Sequence, residues 1–525
     1  MGALSFLLVQ LTAWPPHEDE TLALFVGRQS LPHLFHTVLG QRGGAPLHFL
    51  LAWLVTHTGG GLTSLRLVSA LFATASIPVV GLLGARLASR GVALAATALV
   101  SASWVLLFHG IYARMYSLFL FTSALSYLAL IVAVDRGGRR RWTLWALAAF
   151  AMAASHPYAA IVLASQGFYV LLVRKRIVQA LWAFGAVGVV GIPLWRSDLV
   201  LAGRFDVGVG GGGNKLGTPR SVFDYLRDAA GDFLAGYRPA LIAVLALAAL
   251  GLAILARRRP QSALLVVAVL VTPTAALLLA RLGSSTSPET RHLIFVLPFF
   301  ALLVAMGLVE ATRLVPKVGP LLAIGAVAAI LPAEIAWGYR LTPELYRGEP
   351  AVRILARHDA AAWLASVSEP NDVLFGYSPL YDQAWERARG RVSDVVVPRA
   401  DPRLAFSVLL HAPKPLGHGI WVFDASATTN GVRHLGIPLQ APLYSWEFDT
   451  RLYGPFVIVR SREPAVTVGR YLKLSRMVEE MGIPTPEHGG LAIGDALTNL
   501  KTAAYAEVRL DRYAGTSRSR STVSR

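Results

Sequence analysis

RWTLWALAAFAMAASHPYAAIVLASQGFYVLLVRKR, residues Arg141–Arg176, is apolar between two arginine clusters and is interrupted once, at Ser155-His156-Pro157-Tyr158. A hydrocarbon layer about 30 Å thick takes roughly 17–25 helical residues to cross, so the stretch is long for one helix and short for two. One helix would put RGGRRR (Arg136–Arg141) and RKR (Arg174–Arg176) on opposite faces of a membrane. Two helices, 142–156 and 158–173, form a hairpin that keeps both runs on one face. Because Lys and Arg collect on the cytoplasmic side, the hairpin is the consistent reading.

The same rule orders the rest of the chain. Apolar segments of spanning length run over residues 64–86, 91–110, 116–134, 178–196, 239–256, 261–281, 291–310 and 318–337. Arg86 with Arg90, Arg257–Arg259, and Arg313 with Lys317 join the two runs above, so basic clusters fall at every second loop and read as cytoplasmic. Gly2–Trp14 reads as the end of a first helix rather than a signal peptide, since it has neither a basic leader nor a small-residue cleavage site. The expectation is a mainly α, polytopic transmembrane bundle of about eleven spans with its N-terminus in the cytoplasm.

Composition agrees. Of 525 residues 54% are hydrophobic and only 15% charged, more apolar than a soluble domain needs. The net charge of +18 would suggest nucleic acid in a soluble protein, but here it sits in short runs between apolar blocks. The chain has no cysteine, which excludes disulfides, thiolate nucleophiles and Cys-ligated zinc or iron–sulfur centres.

Parity then assigns the outer face. It receives HEDE (His17–Glu20) in a loop from Pro15 to Thr63, YARMY (Tyr112–Tyr116), SHPY, and the start of the span at Arg291. Within the first loop PLHFLLAWLVTH (Pro46–His57) is only about three turns long and suits a helix lying in the interface. From Gly338 helical patterns alternate with short β-rich runs such as DVLFGYS, SDVVVP, GIWVFDAS and PFVIVRS, which predicts an extracytoplasmic α/β domain over 338–512. Residues 1–337 form the membrane domain in this reading, and the basic tail 513–525 is expected to be disordered.

Several side chains in the outer layer could carry chemistry. Glu18, Asp19 and Glu20 read either as a helix start, with Asp19 as cap and Glu20 in the first turn, or as a general base or cation ligand where a lipid-bound substrate meets water. Arg114 lies between Tyr112 and Tyr116 at a span end; it reads as a snorkelling anchor or as a guanidinium fork for phosphate. Arg291 and Arg66 invite the same two readings, and their convergence with a carboxylate on one layer favours the second. His156 alone reads as a satisfied polar residue before Pro157. His33 and His36, one helical turn apart, could join Asp19 or Glu20 on a metal, but two histidines at that spacing without a nearby third ligand are common by chance. The glycine run Gly208–Lys215 lacks a phosphate-loop ending and reads as a connector.

HEDET, APLHFLLAWL, SLRLVSALFATASIPVVGLLGARL, YARMYSLFLF, SHPYA and RHLIFVLPFF, in this order over residues 1–340, resemble the bacterial GT-C-type membrane glycosyltransferases related to protein mannosyltransferases and lipid A aminoarabinose transferases. The resemblance implies a polyprenyl-phosphate sugar donor, transfer to a protein, glycan or lipid acceptor at the outer face of the inner membrane of a bacterium, and a first-loop Asp as base. Carried over, Asp19 is the catalytic candidate with Glu20 beside it, a divalent metal at Asp19 and Glu20 is an open option, and no other cofactor is implied. Arg114, His156 and Arg291 would hold the lipid phosphate and sugar, with Tyr112, Tyr116 and Arg66 beside them. Two departures stand out. Tyr112 occupies a place before ARMY where related sequences often carry an acid, and Gly44-Ala45-Pro46 replaces a His-Pro-Pro or Lys-Pro-Pro, leaving nearby Arg42 as the substitute cation. A lipid-linked saccharide flippase would need charged or broken mid-membrane segments and two related halves, and few interruptions occur beyond Pro78, Pro273, Pro298 and Pro332. An oligosaccharide polymerase or ligase would place its critical residues in a large late loop, whereas the acids here lie in the first.

Overall fold

Helices occupy all ten segments of expected spanning character in the computed structural model, which describes residues 2–205, 216–234, 236–280, 288–313, 317–388, 392–399, 402–424 and 446–481. Six are long and apolar enough to cross a membrane: Leu62–Leu87, Tyr116–Arg136, Pro239–Arg258, Pro260–Ala280, Thr290–Thr312 and Gly319–Leu341. Two further candidates are bent, Arg90–Ala102 with Trp104–Ile111 by 52° and Ile177–Val190 with Ile192–Ala202 by 61°. The first bend sits at Ser103, whose extended backbone ends one helix and whose hydroxyl donates to the Phe233 carbonyl at 2.9 Å. The other three of the eleven expected spans are short: the nine residues of Gly2–Gln10 and a hairpin of two fifteen-residue helices, Arg139–Ala153 and Ala159–Val173. At 1.5 Å per residue, fifteen residues rise only about 22 Å. The glycine run Gly208–Lys215 and the tail 513–525 lie outside the described residues.

The hairpin is held by packing rather than by length. Trp145 Nε1 donates to Gln166 Oε1 at 3.0 Å, Gln166 Nε2 donates to Ser126 Oγ at 2.8 Å, and Tyr127 and Ser165 share a 2.6 Å hydrogen bond. All five side chains are fully buried, so each needs its partner, and together they tie both arms to the helix Tyr116–Arg136.

The basic turns meet at one end of the bundle. A side chain on Gly137 would approach Arg176 Nε to 2.9 Å; Lys175 Nζ donates to Gln261 Oε1 at 3.0 Å; Arg259 Nη1 donates to the Arg86 carbonyl at 3.1 Å. Arg258 pairs with Glu310 Oε1 at 2.7 Å, and Arg313 pairs with the same carboxylate. All five clusters read from the sequence as sharing a face therefore do share one end, and Tyr116, His156 and Arg291 lie at the opposite ends of helices that start or finish there.

Small residues set the closest helix crossing. A Cβ on Gly251 would lie 2.0 Å from the Leu303 carbonyl oxygen, and one on Gly307 would lie 2.0 Å from that of Leu247. The backbones of Arg238–Arg258 and Leu297–Thr312 thus touch through a paired glycine notch. Gly307→Ala is expected to lower the melting temperature in detergent, with overpacking costing at least about 1–3 kcal/mol.

The described residues divide into two compact units. The first holds Met1–Pro15, Val26–Gly203 and Gly210–Gly348; the second holds Pro16–Phe25, Arg204–Val209 and the chain from Glu349 onward. The second unit is built on a five-stranded sheet of order β2-β1-β3-β5-β4, with β1 Val373–Phe375, β2 Val396–Val397, β3 Gly419–Asp424, β4 Phe448–Tyr453 and β5 Phe456–Ser461. β1 is parallel to β2 and β3, while β5 runs antiparallel to β3 and β4. Alternate residues go to opposite faces, as the pleat requires. Val373, Phe375, Trp421 and Phe423 pack with Pro402–His411 and Val468–Glu480; Leu374, Ile420 and Val422 pack with Ala351–Val367 and Pro379–Arg387. The result is a three-layer α/β/α sandwich.

Candidate active site

In the first unit a tight turn separates the helix Trp104–Ile111 from Tyr116–Arg136 and presents Tyr112, Arg114 and Tyr116 together. Arg114 N donates to the Tyr112 carbonyl at 2.6 Å, and Ser117 Oγ donates to the His109 carbonyl at 2.7 Å, closing the turn. Arg291 enters from Thr290–Val296 with its guanidinium carbon 5.0 Å from the centre of the Tyr116 ring and Nη2 2.7 Å from Glu289 Oε1. Asp232 steadies that segment by accepting from Thr290 Oγ1 at 2.7 Å; burial pushes its carboxyl above the ordinary range, against the pull of this hydrogen bond.

Imidazoles line the same layer. His156 and His292 have ring centres 5.5 Å apart and each lies within 6 Å of Tyr116; His109 lies 5.1 Å from the same ring. Tyr158 N donates to His156 Nδ1 at 3.0 Å, so a neutral His156 carries its proton on Nε2, a buried atom with no partner among the described residues. His48, on the short helix Leu47–His57, completes the set; burial, helped by the Arg114 charge, pushes its imidazole down to about 3, which leaves it neutral. Arg114 acts electrostatically on all four rings. The arrangement is a largely buried basket of two guanidinium groups and several imidazole rings, suited to an anion with a polar substituent.

The other sequence candidates of this unit have different surroundings. Arg66 is buried, and its Nη1 and Nη2 donate to the carbonyls of Leu11, Trp14 and Pro15 at 2.9–3.0 Å. It clasps the end of the first helix to Leu62–Leu87. Arg66→Leu is expected to reduce the melting temperature and folded yield, because each orphaned buried carbonyl costs about 1–3 kcal/mol. Arg42 ends a π-helical turn, His36–Arg42, with its guanidinium 5.6 Å from the Phe49 ring centre.

In the second unit the helix Glu18–Gly27 places Glu18, Asp19 and Glu20 in its first turn, where the helix dipole favours acids. The cap is His17, earlier in the chain than the Asp19 that the sequence suggested: His17 Nδ1 accepts from Asp19 N at 3.1 Å, and buried Glu20 reaches back to accept from His17 N at 3.1 Å. This is the reciprocal logic of a capping box. Glu20 is thus occupied as a cap, while Asp19 is half-buried. Glu18 turns to the C-terminal sandwich, where Tyr377 N donates to Oε1 at 2.8 Å.

Asp19 and Glu20 belong to no group of three metal-ligating side chains among the described residues; the one such group is Glu369, Asp372 and His418. There the Asp372 carboxylate accepts from Glu369 N and His418 N at 2.9 and 2.8 Å, and His418 Nδ1 is bonded to the Ser461 carbonyl at 2.8 Å. Burial holds the Asp372 carboxyl above the ordinary range, against the opposing pull of those two backbone donors. The Asp372–His418 bond ties the start of β1 to the start of β3, and the ligand atoms of Glu369, Asp372 and His418 lie within 4.8 Å of one another.

His48, His109 and His292 carried no assignment from sequence, although two stand inside the stretches APLHFLLAWL and RHLIFVLPFF and His292 adjoins Arg291. Adjacency of a histidine to an outer-layer arginine was the available signal.

No protein-family model and no curated protein sequence matches the chain. Solved structures do. ArnT from Cupriavidus metallidurans bound to undecaprenyl phosphate superposes with a TM-score of 0.50 at 14% identity, over 87% of this chain and 96% of that one. The Archaeoglobus fulgidus oligosaccharyltransferase in complex with zinc and sulfate superposes with a TM-score of 0.50 at 11% identity, over 85% of this chain and 71% of that one. The fold is that of the GT-C glycosyltransferases, a helical membrane bundle with a C-terminal α/β unit.

Proposed function

We propose that the chain is an integral-membrane glycosyltransferase that moves a hexosyl or pentosyl group, with inversion, from a polyprenyl-phosphate donor to an acceptor hydroxyl at the outer face of a bacterial cytoplasmic membrane. The observation that carries the reading is the Arg114–Arg291 basket with its ring of imidazoles, at the end of the bundle opposite the basic turns, in a GT-C fold. The ArnT to which the fold is similar was crystallised with undecaprenyl phosphate, the donor chemistry proposed here.

The chemistry follows from charge. The acceptor oxygen attacks the anomeric carbon as the bond from that carbon to the phosphate oxygen breaks, through an oxocarbenium-like transition state. Asp19 takes the acceptor proton, and the electron pair leaves on the lipid phosphate. Negative charge on that phosphate grows as the bond breaks, so the two guanidinium groups and the Nε2–H of His156 stabilise the transition state more than the bound donor. Tyr116 holds Arg291 from the side with its ring face.

The test is incubation of purified protein with undecaprenyl-phosphate hexoses and pentoses and a panel of hydroxyl acceptors. Release of undecaprenyl phosphate with acceptor present is the expected result; binding of the donors without release under every acceptor would favour a flippase.

A further inference from the structure

Glu18 stands one residue before the base proposed above, and glycosyl transfer itself gives it no task. We infer that Gly376, Tyr377 and Arg399 form a latch that holds the first turn of the helix Glu18–Gly27 and so aims Asp19; the inference rests on the reading of Asp19 as base. These are positioning residues, none of which needs to touch substrate.

Four observations carry it. First, Pro16–Phe25 belongs to the same compact unit as the C-terminal sandwich. Second, the backbone of one residue grips two residues of the helix: Tyr377 N donates to Glu18 Oε1 at 2.8 Å, and the Thr21 hydroxyl donates to the Tyr377 carbonyl. Residues three apart share a helix face, so both grips lie on one side and Asp19 projects from the next. Third, Arg399 brings a charge to within 3.8 Å of Glu18 Oε2, and it is itself fixed, with Nη2 donating to the Val422 carbonyl at 2.6 Å and its guanidinium 5.7 Å from the Phe375 ring centre. Fourth, Gly376 has φ +82°, and a Cβ there would lie 2.4 Å from Arg399 Nε and 2.9 Å from Glu18 Oε1. Only glycine lets β1 turn into the latch at this closeness. Phe25, buried in the sandwich core with its ring centre 6.0 Å from that of Tyr377, anchors the same helix two turns later.

The capping bonds of His17 and Glu20 close this first turn within its own segment and leave its direction against the sheet free. Two backbone-directed grips remove that freedom. A displacement of about 1 Å in a reacting group can cost on the order of 10²-fold in rate, so loosening the latch should appear in turnover rather than in donor affinity.

The test uses the full-length protein in detergent. Hydrogen–deuterium exchange of residues 16–25 is read first, without substrate, and kcat and donor KM second, with whichever undecaprenyl-phosphate sugar supports wild-type turnover. Glu18→Ala is expected to speed exchange across this segment at a nearly unchanged melting temperature, and Gly376→Ala to speed it with a lowered one because of its positive φ; both are expected to lower kcat roughly 10–10²-fold with donor KM held within about threefold. Glu18→Gln keeps the acceptor for Tyr377 N and is expected to stay near wild type in both. Unchanged exchange in Glu18→Ala, equal losses in Glu18→Gln and Glu18→Ala, or faster exchange with wild-type kcat would each overturn the latch. Full turnover in Asp19→Asn would instead remove the base, and the purpose of the latch with it, while the exchange arm would still decide whether the grip exists.

Discussion

Asp19→Asn is expected to reduce sugar transfer by about 10²–10⁴-fold, the range that a positioned proton acceptor contributes. An acceptor hydroxyl is a poor nucleophile until its proton leaves, and asparagine has the shape of aspartate but cannot take that proton. Asparagine also retains the backbone N–H that Asp19 donates to His17 Nδ1. Glu20→Gln gives the contrast. Its carboxylate accepts from His17 N, and a glutamine oxygen can do the same, so the loss there should be far smaller. Single-turnover assays with folding followed by melting temperature separate the two. Wild-type turnover in Asp19→Asn removes the base; equal losses at both positions place the effect in the helix start instead.

Arg291→Ala should cost about 10²–10³-fold in kcat, comparable to removing a preorganised donor from a developing oxyanion. Its guanidinium is held over Tyr116 and against Glu289 with only 16% of its side chain exposed, so the charge is well placed and little screened. Arg114→Ala should behave similarly, and the double variant should lose less than the sum if both serve one phosphate. Lysine at either position should recover little, because a point charge on a flexible stem cannot reproduce the guanidinium fork. Measured kcat and donor KM decide the case: a rise in KM alone, with kcat intact, would mean that the arginines bind the donor equally in ground and transition states.

What the amino-acid order determined by itself is the one-dimensional plan. Run lengths of apolar residues and the placement of arginines are local quantities, and they located all ten helical segments, the SHPY hairpin and the gathering of five basic turns at one end. The alternation of helical patterns with short β-rich runs after Gly338 likewise located β1, β2, β3 and β5, whose residues are apolar and buried almost throughout. β4 escaped because FDTRLY is an edge strand paired only with β5, and its polar, half-exposed side chains carry no clear pattern. The amphipathic helices Pro402–His411 and Val468–Glu480 escaped with it. Only the tertiary structure decided which polar groups are spent and on what. Arg66 serves three carbonyls, Glu20 serves a cap, and Glu18 answers a peptide 359 residues away. The four imidazoles come from four separate segments and become one basket only when the bundle closes. A hydrogen bond is satisfied by geometry and not by sequence distance, so a residue's type says what it can offer, and the folded neighbourhood says to whom.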